Sequence, residues 1–191
     1  IDKLIEKNEK VICLDDLSSG CLSNLTKAKS FNKFSFINQN VIKTLDLKVD
    51  RIWHFGSLAS EKDYSKDPIK TMKNLFLGSI NLLDLAKQNN ASILLASSSE
   101  IYGQCSLQSQ DENFLGNVNC FSQRASYSEG KRISETLFYN YYKMYGVDIR
   151  IARIFNTYGP RLSNKDGRVI GTFINNIISV SYTHLRAHET R

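Results

Sequence analysis

Tyr127 and Lys131 stand four residues apart in a stretch of helical pattern, so their side chains share one helix face. A phenol titrates near 10, about three units too high for a base at neutral pH. A neighbouring ammonium favours the phenolate, and Tyr127 could then take a proton from a substrate hydroxyl. Tyr-x-x-x-Lys alone is a weak signal, because surface helices contain it by chance. It gains weight from Ser98, which ends the preceding strand and could hold the same substrate oxygen. Glu100, two residues on, could handle a proton beside the reacting carbon. The bland alternative for it is a loop glutamate without a role.

Asp15 closes the apolar run Val11–Leu14 and is followed by the turn Asp16-Leu17-Ser18-Ser19-Gly20. In a doubly wound fold an acidic residue at a strand end accepts hydrogen bonds from adenosine ribose hydroxyls, which favours NAD over its 2′-phosphorylated relative. A turn or cap aspartate reads equally well. Asp16, Ser19, Gly20, the small pair Gly56-Ser57 and Ser97 join Asp15, Tyr127 and Lys131 as the expected cofactor-binding set. A positive nicotinamide ring would further favour the Tyr127 phenolate. The glycine-rich phosphate turn, expected about 20 residues before Asp15, is not in the sequence.

Asn156 and Arg161 flank Tyr158-Gly159-Pro160, and Arg168 follows; an amide and guanidinium groups suit a sugar-nucleotide diphosphate. Each arginine could equally be a solvated charge. His54 reads as a structural histidine, and Tyr139, Tyr141, Tyr142 and Tyr145 as helix packing or a subunit surface.

These residues need a scaffold of alternating strands and helices. Val11–Leu14, Phe34–Ile37, Arg51–Phe55, Ser92–Ala96 and Asp148–Ala152 read as short buried strands. Asp67-Pro68 opens a helix running to about Gln88, with proline where its missing N–H is harmless. Leu75, Ile80, Leu82, Leu83 and Leu85 supply its apolar face. Tyr127–Tyr145 is a second helix capped by Gly146, Val169–Ile178 a third, and residues 104–126 a polar loop over the site. The pattern predicts an α/β fold, a doubly wound, Rossmann-like parallel sheet truncated at both ends, with ligands beyond the carboxyl ends of the strands.

The 191 residues carry a formal charge of +6, scattered rather than clustered. That points weakly to an anionic ligand and away from a nucleic-acid arm. Cys13, Cys21, Cys105 and Cys120 lack C-x-x-C spacing and read as reduced thiols of a cytoplasmic protein. No apolar run is long enough to span a bilayer. Residues 180–191 break the helical pattern and read as a non-native, adapter-derived tail. They hold His184 and His188, two of the three histidines, so no metal site is expected. Residues 1–179 are read as a partial NAD-binding domain without its first strand, with a substrate lobe starting near 156. By itself the chain is expected neither to hold NAD nor to turn over.

Together, Asp67-Pro-Ile-Lys-Thr71, Leu94-Leu-Ala-Ser-Ser-Ser-Glu-Ile-Tyr-Gly103, Gly116-Asn-Val-Asn119, Arg124-Ala-Ser-Tyr-Ser-Glu-Gly-Lys-Arg132, Arg150-Ile-Ala-Arg-Ile-Phe-Asn-Thr-Tyr-Gly-Pro-Arg161 and Asp166-Gly-Arg-Val169 resemble UDP-glucuronate decarboxylases, from about Val11 to Ile178. The resemblance implies a tightly bound NAD regenerated in each cycle. Tyr127 would be the base and Lys131 its partner, also holding the nicotinamide ribose. Oxidation at C4 of the sugar gives a β-keto acid that loses CO₂, and hydride return yields UDP-xylose. Ser99 and Glu100 would lie near C5, and Arg168 would contact substrate.

Thymidine-sugar 4,6-dehydratases usually carry Asp-Glu where this chain has Ser99-Glu100, and 4-epimerases usually lack the glutamate. GDP-mannose dehydratases share Ser-Glu, so another epimerase or dehydratase remains the alternative. A non-catalytic nucleotide-binding relative is the third reading, against which the intact Ser98, Tyr127 and Lys131 argue. The chain departs from the decarboxylases at Asn40 (Asp), Leu58 and Cys120 (Pro), Leu75 (Asn) and Leu115 (Trp). The resemblance also implies a homodimer built on paired helices.

Overall fold

The computed structural model describes residues 1–104, 110–163 and 167–179. The tail at 180–191, Cys105 and Asp166 lie outside the described residues. Two compact units divide the chain, Ile1–Phe155 and Asn156–Arg191.

In order, the first unit contains α1 (Asp2–Glu6), β1 (Val11–Asp15), α2 (Thr26–Lys29), β2 (Phe34–Asn38), β3 (Arg51–His54), α3 (Glu61–Tyr64), α4 (Pro68–Asn89), β4 (Ser92–Ser98), α5 (Ala125–Tyr145) and β5 (Ile149–Ile154). A 3₁₀ turn, Ser99–Tyr102, continues from β4. In the second unit, α6 (Val169–Ile178) follows Arg168, whose backbone is extended at the helix start.

β1 pairs with β2, and β3, β4 and β5 form a second sheet in that order. All three pairings are parallel, so in each sheet the carboxyl ends fall on one edge. The fold is thus the expected α/β type with parallel sheets. β1 is less enclosed than its apolar run suggests: Val11 is buried, while Ile12, Cys13 and Leu14 are half-buried. Among the described residues its hydrogen-bonded neighbour is β2 alone.

Local chemistry sets the two long helices. Asp67 caps α4 by accepting from the Lys70 N–H at 2.9 Å, Pro68 follows, and Asn90 ends the helix in the left-handed region. Gly146 ends α5 at φ +69°. Leu83 and Ala86 of α4 and Phe138 of α5 pack with Ile93 and Leu95 of β4 and with Val147 to form the core. Fully burying each large side chain contributes roughly 1.5–3 kcal/mol. Ile52 joins this core, whereas its neighbour Trp53 is 42% exposed, as alternation along a strand requires.

Where α4 meets α5 the residues are small and polar. The Ser79 and Ser134 hydroxyls lie 3.0 Å apart and donate to the Leu75 and Gly130 carbonyls at 2.6 and 2.8 Å. His54 Nε2 sits 3.3 Å from Ser79 Oγ, and burial lowers its pKa to about 3, with Lys131 adding to the effect. His54 is therefore a neutral, structural histidine. A β-carbon on Gly130 would lie 2.4 Å from Leu75 Cδ1, so the helices approach closely because residue 130 lacks one.

In an open helix Gly→Ala stabilises by about 1 kcal/mol. Here Gly130→Ala should destabilise by about 1–3 kcal/mol through overpacking, seen as a lowered Tm in thermal unfolding.

Candidate active site

The carboxyl ends of β1 and β3 line one cleft of about 220 Å³. Its walls include Asp15, Asp16, Ser18, Ser19, Gly20, Asn40, Gly56, Ser57, Leu58 and Asn74. The turn after β1 is wound tightly. Leu17 takes a left-handed φ of +58°, and its N–H donates to Asp15 Oδ1 at 2.7 Å. Asp16 accepts from the Ser18 N–H at 2.9 Å and from Asn40 Nδ2 at 2.7 Å. Burial acts to raise the Asp16 pKa, but these hydrogen bonds outweigh it and hold the carboxyl below its ordinary value. Asn40, a departure from the resembled pattern, thus braces the acidic turn.

Asn74 reaches the cleft from α4, and its Oδ1 is buried without a hydrogen-bond partner. A buried amide oxygen without a donor costs free energy, and a bound ligand can relieve it. Acidic groups at the end of β1, small residues after β3 and this acceptor fit the adenosine end of a dinucleotide.

Lys131 sits beside the cleft, 3% exposed. Its Nζ donates to the Ala96 carbonyl at 2.6 Å and to Ser57 Oγ at 2.9 Å. Burial lowers its pKa to about 8, opposed by the charge of Glu135, so the ammonium persists at neutral pH. Nζ stands 5.7 Å from the Tyr127 ring centroid. The Tyr127 ring stacks on Tyr64 at 4.8 Å and 9°, and Leu75 and Leu58 pack around the pair. Two further departures, Leu75 and Leu58, therefore build the apolar seat of this tyrosine.

At the end of β4, Ser98 Oγ accepts the Glu100 N–H at 3.2 Å and starts the 3₁₀ turn that carries Ser99 and Glu100. Ser97 is bonded within the chain. Its hydroxyl donates to Glu135 Oε1 at 2.5 Å, and like Ser98, Tyr127 and Lys131 it is not among the residues lining the cleft. Adjacent strand residues face opposite sides, so Ser97 and Ser98 cannot serve one ligand alike. Arg153 holds Glu135 through Nη2 at 2.9 Å and Nε at 3.2 Å.

Asn156, Arg161 and Arg168 belong to the second unit. There Arg161 has a φ of +69°, and Arg168 precedes α6, its carbonyl accepting from the Thr172 N–H at 2.9 Å. Among the described residues, no group of three or more His, Cys, Asp or Glu could hold a metal ion, and no helix is long and apolar enough to cross a membrane.

Sequence reasoning missed Tyr64, Asn74, Glu61 and Glu135, and saw Arg124 only within a motif. Glu135 was within reach, since it lies four residues after Lys131 on α5. Tyr64 and Asn74 depend on tertiary placement and carry no local signal.

A model described as the NAD dependent epimerase/dehydratase family matches residues 1–185. UDP-glucuronic acid decarboxylase 3 of Arabidopsis thaliana is 46% identical over 176 residues, covering 91% of this chain and 51% of that enzyme. UDP-glucuronic acid decarboxylase 1 of Xenopus tropicalis is 43% identical, covering 91% and 41%. Among solved structures, UDP-N-acetylglucosamine 4-epimerase of Methanobrevibacter ruminantium, in complex with UDP-N-acetylmuramic acid, superposes with a TM-score of 0.84 at 28% identity, covering 94% of this chain and 58% of that one. The chain spans about half the length of the curated relatives it matches.

The lowered Lys131 pKa has a signed consequence for stability. Between pH 8 and 10.5 the unfolded chain binds this proton and the folded chain does not, so stability should rise with pH across that window. Lys131→Met removes the group. Its stability relative to the parent should fall by on the order of 3 kcal/mol from pH 8 to 10.5, measured by denaturant unfolding at both ends.

Proposed function

The chain belongs to the NAD dependent epimerase/dehydratase family, and from that membership we propose that the protein converts UDP-glucuronate to UDP-xylose and CO₂. One observation carries the chemistry: the buried Lys131 ammonium lies beside the Tyr127 ring, at the strand edge that also presents Ser98 and Glu100. The substrate class rests on the similarity to the UDP-glucuronic acid decarboxylases and on the Ser99-Glu100 pair.

Bound NAD would accept hydride from C4 of the sugar and return it at the end of the cycle. The residues of the chain do the rest. Tyr127 takes the C4 hydroxyl proton, helped by the positive charge of Lys131. The Ser98 hydroxyl holds that oxygen. Oxidation leaves a ketone β to the carboxylate, so CO₂ departs with its electrons delocalised into an enolate. Ser99 and Glu100 border C5, where a proton must then be added. Tyr127 finally returns its proton to the C4 oxygen. Asp15, Asp16, Ser19, Gly20, Gly56, Ser57 and Asn74 would hold the cofactor. Asn156, Arg161 and Arg168 are assigned to the nucleotide-sugar.

Incubated with UDP-glucuronate and NAD, the intact protein should release CO₂ and form UDP-xylose, with Tyr127→Phe lowering kcat by about a hundredfold or more. A product of unchanged mass, or one lacking water, would instead identify a 4-epimerase or a 4,6-dehydratase.

We also infer a homodimer along α4 and α5. Ile69, Met72, Phe76 and Leu77 of α4, and Ile133, Tyr139, Tyr142 and Met144 of α5, are exposed, and exposed apolar side chains along paired helices suit a subunit surface. Sedimentation of the intact protein at micromolar concentration should report a dimer, and Tyr142→Lys should shift it towards monomer.

A further inference from the structure

The Glu100 carboxylate, assigned to C5, is held by Arg124. Glu100 accepts from Arg124 Nη1 at 3.4 Å, and Arg124 Nη2 donates to Glu61 Oε2 at 2.5 Å. The three side chains come from three segments. Glu61 opens α3, Glu100 lies in the 3₁₀ turn after β4, and Arg124 immediately precedes α5. The two rings beside the cluster come from the same segments, Tyr64 from α3 and Tyr127 from α5, and they stack face to face. Burial raises the Tyr64 pKa, and the nearby Arg124 charge opposes that rise, so the guanidinium lies close to the stack.

Stability does not account for this arrangement. The side chains of Arg124, Glu61 and Glu100 are 49%, 45% and 35% exposed, and ion pairs in such surroundings contribute about 0–1 kcal/mol. Geometry is what they supply. A guanidinium is planar and permanently charged, and its fixed fork of donors can grip two carboxylates at once. Three other cations of this unit are committed elsewhere. Lys131 is held by Ala96 and Ser57, Arg132 by the Ile101 and Leu115 carbonyls, and Arg153 by Glu135.

We propose that Arg124 is the positioning residue of Glu100, anchored from its far side by Glu61, so that Glu100 is aimed at the sugar carbon beside the one Tyr127 serves. This rests on the decarboxylase reading. Glu100 acts after the sugar has been oxidised, so losing its anchor slows the later steps and leaves the first oxidation intact. The enzyme then waits in the oxidised-sugar state, with its nicotinamide reduced.

The test uses the intact protein with UDP-glucuronate, following CO₂ release and the near-ultraviolet absorbance of reduced nicotinamide in the same samples. In Arg124→Gln, kcat should fall by about tenfold or more, with little change in KM, and reduced nicotinamide should build up in the steady state. Glu61→Gln should do the same to a smaller degree, because it loosens the anchor and leaves the Glu100 contact. Arg124→Lys should recover part of the rate, since one ammonium can hold Glu100 but cannot fork to both partners. The proposal fails if Arg124→Gln turns over like the parent. It also fails if the variant slows while its nicotinamide stays oxidised, the signature of a disturbed Tyr127. Should Arg124→Gln fold poorly, Glu61→Gln carries the same two outcomes. A parent protein that releases no CO₂ overturns the decarboxylase reading, and this proposal with it.

Discussion

The buried ammonium of Lys131 is the constraint around which the first unit is arranged. A cation enclosed to this degree loses most of its hydration, and the lost solvation has to be replaced by placed acceptors. Two oxygens do so here: the Ala96 carbonyl of β4, and the Ser57 hydroxyl just beyond β3. Each fixes a different part of the fold against α5. The carbonyl can point at the helix only if β4 keeps its register, and the hydroxyl only if the chain turns where β3 ends. Among the described residues, no carboxylate replaces the lost water directly. Glu135, one turn along α5, has its oxygens engaged by Ser97 and Arg153. Its charge offsets part of the desolvation at Lys131 without forming a contact pair, so the ammonium remains available to an anion or phenolate in the cleft.

The same helix sets the depth of Tyr127. α5 lies close to α4 because Gly130, Ser134 and Ser79 are small where the two helices cross, and Leu75 fills the space beside Gly130. Leu75 also packs beneath the Tyr64–Tyr127 stack. Packing between the helices is therefore coupled to the site. A side chain that pushed α5 outward would move the phenol and the ammonium together, keeping their mutual distance and losing their registration with the end of β4.

Much of this was legible in the sequence where the governing interactions are local. Asp67-Pro68 and Gly146 mark helix ends through bonds made within a turn, and α4 and α5 begin and end close to where those residues place them. The spacing of Tyr127 and Lys131 on one face follows from helical geometry alone. What the pattern could not reveal depends on contacts between distant segments. Arg124 meets Glu61 across 63 positions and Glu100 across 24, and no periodicity records such pairs. Ser97 is a further case: its place in a serine run at a strand end gives no hint that its hydroxyl reaches Glu135 on α5, 38 positions away. Asn40, Leu58 and Leu75 depart from the resembled pattern. In the structure Asn40 braces Asp16, and the two leucines line the seat of Tyr127.

The local rules of folding are broken unevenly across the molecule. At the amino-terminal side of β4 and β5, the connections use residues suited to their backbone: Asn90 and Gly146 occupy the left-handed region that Asn and Gly favour. At the carboxyl edge the exceptions gather. Leu17 is left-handed without being glycine, Lys131 is buried and charged, and Asn74 keeps a buried amide oxygen unpartnered. Leu17 and Asn74 cost stability, and the acceptors around Lys131 do not cancel the burial that lowers its pKa. Departures of this kind persist where a ligand completes what the protein leaves unfinished. Asn74 lines the cleft, Leu17 stands between the lining residues Asp16 and Ser18, and Lys131 is joined to the cleft through Ser57. These departures lie at the carboxyl ends of both sheets, around the place to which the chemistry of Tyr127 also points.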